Sequence, residues 1–262
     1  MIQSTYLLKT CVIYSICCLL ISLCFQSRAN VKTDSISYDK NIVKFNALGV
    51  VMRNYSFQYE RMLTRKISAN LGFRFMPKGK VPLLSAIESL INDELFDDLN
   101  SITVGNTAIT PEIRFYFGKK DGAIGFYFAP YVRFANYQIT YPNFEYEVYD
   151  ESGAYLENKT IFLDGKANTT TAGFSIGTQW RIGKWVYLDW TILGPNYGGI
   201  DGILSGSQSL NIYEQKGLRE ALEDIDVPFA ETSATADTNG GQLKLTGPWA
   251  GIRTSLGIGI KF

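Results

Sequence analysis

The chain has 262 residues, with 25 Lys and Arg against 25 Asp and Glu, four cysteines and no histidine. So even a charge balance gives no electrostatic footprint for nucleic acid. Without histidine, acid–base work near neutral pH falls to a perturbed carboxylate or lysine.

Residues 1–29 read as a cleaved signal peptide. Lys9 supplies the positive start, Cys11 to Phe25 the apolar stretch, and Ser27-Arg28-Ala29 the small residues that place cleavage after Ala29. An uncleaved anchor is the rival reading. A lipoprotein signal at Cys24 is disfavoured because Leu23 is larger than that cleavage usually accepts. All four cysteines (Cys11, Cys17, Cys18, Cys24) lie in this segment, so residues 30–262 carry no thiol, and they form one domain of about 230 residues. No later apolar run is long enough to cross a bilayer as a helix, so any crossing must be made by strands.

Period-two alternation predicts strands at 42–52, 54–63, 67–76, 108–117, 124–136, 171–182, 185–193 and 249–262. One face of the set is apolar, for example Phe57, Phe73, Phe115, Phe126, Phe174, Trp190 and Ile258. The other is polar, for example Lys44, Gln58, Glu60, Asn70, Gln179, Gly257 and Gly259. An eight-stranded barrel has an interior just wide enough for side chains, and the aromatic face would overfill it. The predicted fold is therefore an all-β, eight-stranded antiparallel up-and-down transmembrane barrel, apolar face outward, rather than a soluble lipocalin-like barrel. Turns at Thr64-Arg65-Lys66, 118–122 and Gly183-Lys184 are short. Beyond a tight turn at Arg53-Asn54, the other end has long loops at 78–106, 137–170 and 194–247, the outer-membrane pattern. Segments 137–149 and 155–163 fit a hairpin extending two strands, and Gly198 to Gly202 reads as a flexible loop. Pro111 and Pro130 fall within strands and require a bulge or an unpaired edge.

The inward set carries Glu60, Glu112 and Asp189 with Arg74, Arg114, Arg133, Arg181 and Arg253. In so narrow a lumen these charges must pair, because an isolated buried charge is costly; the expected result is a salt-bridged plug, with an ion or substrate path as its rival. Two loop segments have helical spacing, one with Leu84, Ile87 and Ile91, the other with Leu218, Leu222 and Ile225. They are expected to form a cap, or an interaction surface for a partner or ligand. The aromatics Tyr137 to Tyr155 suit a membrane interface or glycan stacking. No nucleophile elbow, P-loop, calcium loop or Cys/His metal cluster is present. The expectation is no catalytic residue, no cofactor, no metal, and no enzymatic activity.

At Asn46-Ala-Leu with Tyr59-Glu60-Arg61, at 224–229, and at Gly247-Pro-Trp-Ala-Gly-Ile-Arg253 with the closing strand, the chain resembles a family of small outer-membrane β-barrel proteins from bacteria of the Bacteroides type. The resemblance implies an outer-membrane location and supplies no catalytic residues. The expected role is a pore-less, monomeric barrel acting structurally or through its external loops. Outer-membrane lipid, the barrel-assembly machinery and a surface partner or glycan are its expected partners. The alternative is binding or transport of a small lipidic or glycan ligand under the loop cap.

Overall fold

The computed structural model describes residues 40–82, 84, 96, 99–225, 227 and 230–262. The segment read as a signal peptide, and most of 82–99 including Ile87 and Ile91, lie outside them. The described strands are β1 (Asn41–Asn46), β2 (Tyr55–Met62), β3 (Ile67–Lys80), β4 (Thr103–Phe117), β5 (Gly125–Tyr149), β6 (Tyr155–Ile182), β7 (Val186–Ser207), β8 (Glu231–Asp237) and β9 (Gly240–Lys261). The helices whose bounds fall within the described residues are α1 (Ala47–Val51) and α2 (Ile212–Glu223).

Strands β1 to β7 pair antiparallel with their neighbours in sequence, β7 pairs with β9, and β9 pairs back with β1. Eight strands thus close into an up-and-down barrel, while β8 adds only to the far half of β9. The outward face is the apolar one. Phe57, Leu71, Phe126 and Ile260 are exposed, whereas Gln58, Asn70, Glu60 and Gln179 are buried. That arrangement is stable in lipid, where closure satisfies every backbone polar group, and it excludes the soluble barrel with its apolar face turned in.

The strands run further than the alternation suggested. β5 has 25 residues, β6 28, and β7 and β9 22 each, against about nine to eleven needed to span a membrane. The expected loops 137–170 and 194–247 are therefore largely strand. The 137–149 and 155–163 hairpin forms around Asp150, whose Oδ1 accepts from the Ser152 and Ala154 amides at 2.8 and 2.9 Å. Gly198 to Gly202 is not a flexible loop but part of β7, paired with β6 on one side and β9 on the other. Short polar residues and glycines hide strand character when the outward side faces water instead of lipid. A row of outward residues paired across the sheet, Thr107, Asn136, Asn168, Asp201 and Thr246, marks where apolar gives way to polar.

The first strand is shorter than expected. At Asn46 the chain turns into α1, with the Asn46 side chain accepting from the Gly49 amide at 3.3 Å as an N-cap. Arg53 follows with φ 52°, and its guanidinium donates to the carbonyls of Pro77, Lys78 and Lys80, tying this turn to the end of β3. Both prolines are accommodated in one ladder. β4 and β5 pair at Ile109 with Phe134, Glu112 with Tyr131, and Phe115 with Phe128, skipping the positions around Pro111 and Pro130 with no change of register. The missing amides are absorbed by local unpairing, not by a bulge.

Beyond the apolar belt the sheet curls around α2. Leu218 and Leu222 pack in a core with Phe144, Tyr146, Val148, Ile161, Leu163, Leu204, Leu210 and Leu243. Burying each of the two helix leucines contributes about 1.5–3 kcal/mol. Asn211 caps the helix in a capping box with Glu214.

Candidate functional site

The site is built across the middle of the lumen, from side chains on β1, β2, β4, β5, β6, β7 and β9. Arg114 is its hub. Its Nη1 lies 2.6 Å from Asp189 Oδ2 and 3.9 Å from Glu60 Oε2, and its Nε lies 2.5 Å from Glu112 Oε1. Lys44 Nζ stands 2.6 Å from Glu60 Oε2 and 2.5 Å from Asp189 Oδ2. Arg253 Nη1 donates to Glu112 Oε2 at 2.9 Å. Three cations therefore face three carboxylates, and all but Arg253 are almost fully buried.

Neutral side chains complete the layer. Tyr116 donates to Glu60 at 2.6 Å and Tyr127 to Asp189 at 2.9 Å. Gln179 donates to Glu60 at 3.3 Å and to the Ala123 carbonyl at 2.9 Å, and Arg114 donates to Gln58 at 3.2 Å. The Arg114 guanidinium lies 4.3 Å from the centre of the Tyr127 ring, and that of Arg253 4.6 Å from the Tyr131 ring. In a low-dielectric interior such a network holds only if nearly every charge and lone pair is matched. The lumen at this level is occupied by protein.

Of the eight inward charges named from sequence, Glu60, Glu112, Arg114, Asp189 and Arg253 meet here. The other three do not. Arg181 is exposed at the mouth beside the termini of the barrel, paired in register with Tyr187 and apart from the network. Arg74 and Arg133 sit half-buried near the far mouth, where neither forms a salt bridge among the described residues. Alternation gives each residue a face but not a height, and ion pairs form only between groups at one height.

Lys44 is the member missed by sequence reasoning. It was placed on the polar face, yet its partners lie on strands far apart in sequence, and only barrel closure brings them to it.

Of the six residues expected to form a cap or an interaction surface, the four described turn inward, and Ile87 and Ile91 lie outside the described residues. Leu84 is 7% exposed and Leu218 and Leu222 are 0% exposed. These residues are core, and Ile225 packs partly buried beside the helix leucines. Among the described residues, α2 fills the concave side of the sheet extension.

Closed strand order, apolar exterior and filled polar interior define a transmembrane β-barrel. No family model matches the chain, and no curated protein matches it. Among solved structures it is similar to the outer membrane protease OmpT from Escherichia coli, at 7% identity and a TM-score of 0.35, over 86% of this chain and 93% of that one. Against the expectation of no enzymatic activity, that outer-membrane barrel is named as a protease. The likeness is too distant to transfer an activity.

Proposed function

We propose that the protein is a pore-less outer-membrane barrel that carries a rigid head on the cell surface, serving a structural or surface-interaction role. One observation carries the reading: β5, β6, β7 and β9 continue unbroken from the apolar belt into the far sheet, which closes over α2 as a packed core. A head built on continuous strands cannot swing on a linker, so it presents a fixed surface. The buried ion network supports the pore-less part, because ions would have to displace paired charges to pass. Exposed Tyr155, Leu156, Phe162 and Ile212 on the head supply apolar contact area for a surface partner or glycan. The motif resemblance to small barrels of the Bacteroides type agrees with this location.

A cysteine at Ser152, in the turn between β5 and β6, tests the orientation. A membrane-impermeant maleimide should label Ser152→Cys in intact cells; labelling only after permeabilisation would overturn the surface location. In planar bilayers the purified protein should show no stable open state, and a reproducible conducting level would sink the pore-less reading.

A further inference from the structure

The two arginines left out of the central network define a second site. Arg74 on β3 pairs in register with Ala108 on β4, and Ala108 pairs with Ala135 on β5, two residues from Arg133. Arg133, Arg253 and Tyr137 face Arg74, and Tyr137 also faces Arg133. Arg253 is held by Glu112, but no carboxylate forms a salt bridge with Arg74 or Arg133 among the described residues. Arg253, at the edge of the central network, thus faces Arg74 and Arg133 above it, and among the described residues Glu112 is the one carboxylate that pairs with any of the three.

Three buried polar atoms in the same region lack a partner within the protein: Arg74 Nε, Asn106 Oδ1 and Thr171 Oγ1. Asn106 is on the inward face of β4 and pairs with Tyr137, and Thr171 pairs with Arg133. Lower in the lumen, Asn70 Oδ1 is also without a partner, but Arg74, Asn106 and Thr171 place three such atoms together where the arginines gather. Like charges held together in a low-dielectric site are stable only with a counter-charge.

Among the described residues, strand pairing around the wall is also interrupted at this height. On one side β9 pairs with β1 from Gly257 onward and with β8 up to Thr246. Residues 247–256 therefore have no strand beside them on that edge among the described residues. β3 likewise loses β2 beyond Phe75, one residue past Arg74, where Arg53 instead bonds the carbonyls of Pro77, Lys78 and Lys80. α1 packs against β9 at the base of this gap, with Leu48, Val51 and Met52 exposed.

We infer that the arginine vestibule of Arg74, Arg133 and Arg253 binds an oxyanion, a phosphate or carboxylate group, reached through the mouth or through the lateral gap between β3 and β9. Planar guanidinium forks suit such oxygens, which accept paired hydrogen bonds. The gap at the belt's edge would give an anionic lipid headgroup a route, and the far mouth one to a free anion. This inference stands apart from the surface-head reading, which concerns the sheet and helix beyond it.

The full barrel in detergent, titrated with inorganic phosphate against chloride at constant ionic strength, should show a saturable rise in thermal midpoint. Arg74→Gln with Arg133→Gln should weaken phosphate binding at least tenfold while leaving heat-modifiable migration intact. Should that pair fail to fold, Asn106→Asp serves instead. It sets a carboxylate among the arginines at almost no change of volume and should abolish the phosphate response.

Vesicles of phosphatidylcholine with phosphatidic acid separate the sources. Phosphatidic acid retained near one per barrel in native mass spectrometry, and displaced by phosphate, identifies a headgroup. Phosphate binding without lipid retention identifies a free anion. A wild-type barrel that neither distinguishes phosphate from chloride nor retains phosphatidic acid overturns the site, as does an Asn106→Asp barrel that responds as wild type.

Discussion

Lys44 on β1 and Asp189 on β7 meet at 2.5 Å inside the barrel although β9 lies between their strands. The residues of β9 paired with them are Gly259 and Gly257. With no side chain on the inner face of β9 at either position, the lysine stem lies across the strand and its ammonium reaches the carboxylate. The pair therefore fastens both sides of the closing strand at once.

Removing Lys44 should be costly. Lys44→Met leaves Glu60 and Asp189 sharing Arg114, and loss of one partner from a buried ion pair typically costs about 3–5 kcal/mol. Urea unfolding followed by tryptophan fluorescence should show that loss, and adding Asp189→Asn should recover part of it. A cost under about 1 kcal/mol would mean that the network does not fasten the barrel.

Filling the strand that Lys44 crosses should act in the same direction by a different cause. A Cβ at Gly259 would lie 3.0 Å from Lys44 Cγ and 2.9 Å from Ile42 Cγ2. Gly259→Val should displace the lysine and lower the unfolding midpoint, with overpacking of about 1–3 kcal/mol. Gly199→Ala, whose new Cβ would meet only the Gly247 carbonyl at 3.6 Å, is the control and should be nearly silent.

The head should fail separately from the barrel. Leu218→Ala opens a hole in the core around α2 and should cost the head about 2–5 kcal/mol. Gly217→Ala should undock the helix outright, since its Cβ would lie 2.1 Å from the Glu147 carbonyl oxygen. Limited proteolysis should then cut between 208 and 230 while the belt strands stay resistant; unchanged cleavage would refute the docking.

The docking of α2 should also depend on pH. Lys159 on β6 lies 2.5 Å from Glu214 in the first turn of the helix. Hydrogen bonds from Lys159 and from the Asn211 amide hold the Glu214 carboxyl below its ordinary 4.5. Its contribution is therefore complete above about pH 4.5 and is lost as pH falls through the lowered value. Bonds to Glu214 and then Glu157 raise the Lys159 ammonium above its ordinary 10.5, so its share is complete below that and is lost as pH rises through the raised value. Amide exchange across 212–223 should be slowest between these limits and quicken in acid. Glu214→Gln should flatten the acid limb, and an identical limb in that variant would assign it to another group.

Strand count, which face meets lipid and which residues enter the lumen were legible in the chain, because a period of two is a local property that closure does not alter. Volume alone then turned the aromatic face outward. Height within the lumen was not legible. Ring order and register place Lys44 beside Asp189 and keep Arg74 and Arg133 above them, and those are contacts between residues more than a hundred positions apart or on strands whose ends sequence could not locate. The length of the far sheet was hidden for a related reason: outside the lipid both faces can be polar, so alternation fades while backbone pairing continues. Sequence by itself determined a barrel and its polarity. Only the tertiary structure decided which charges pair across the lumen and which stand apart from that network, because pairing depends on ring order and height.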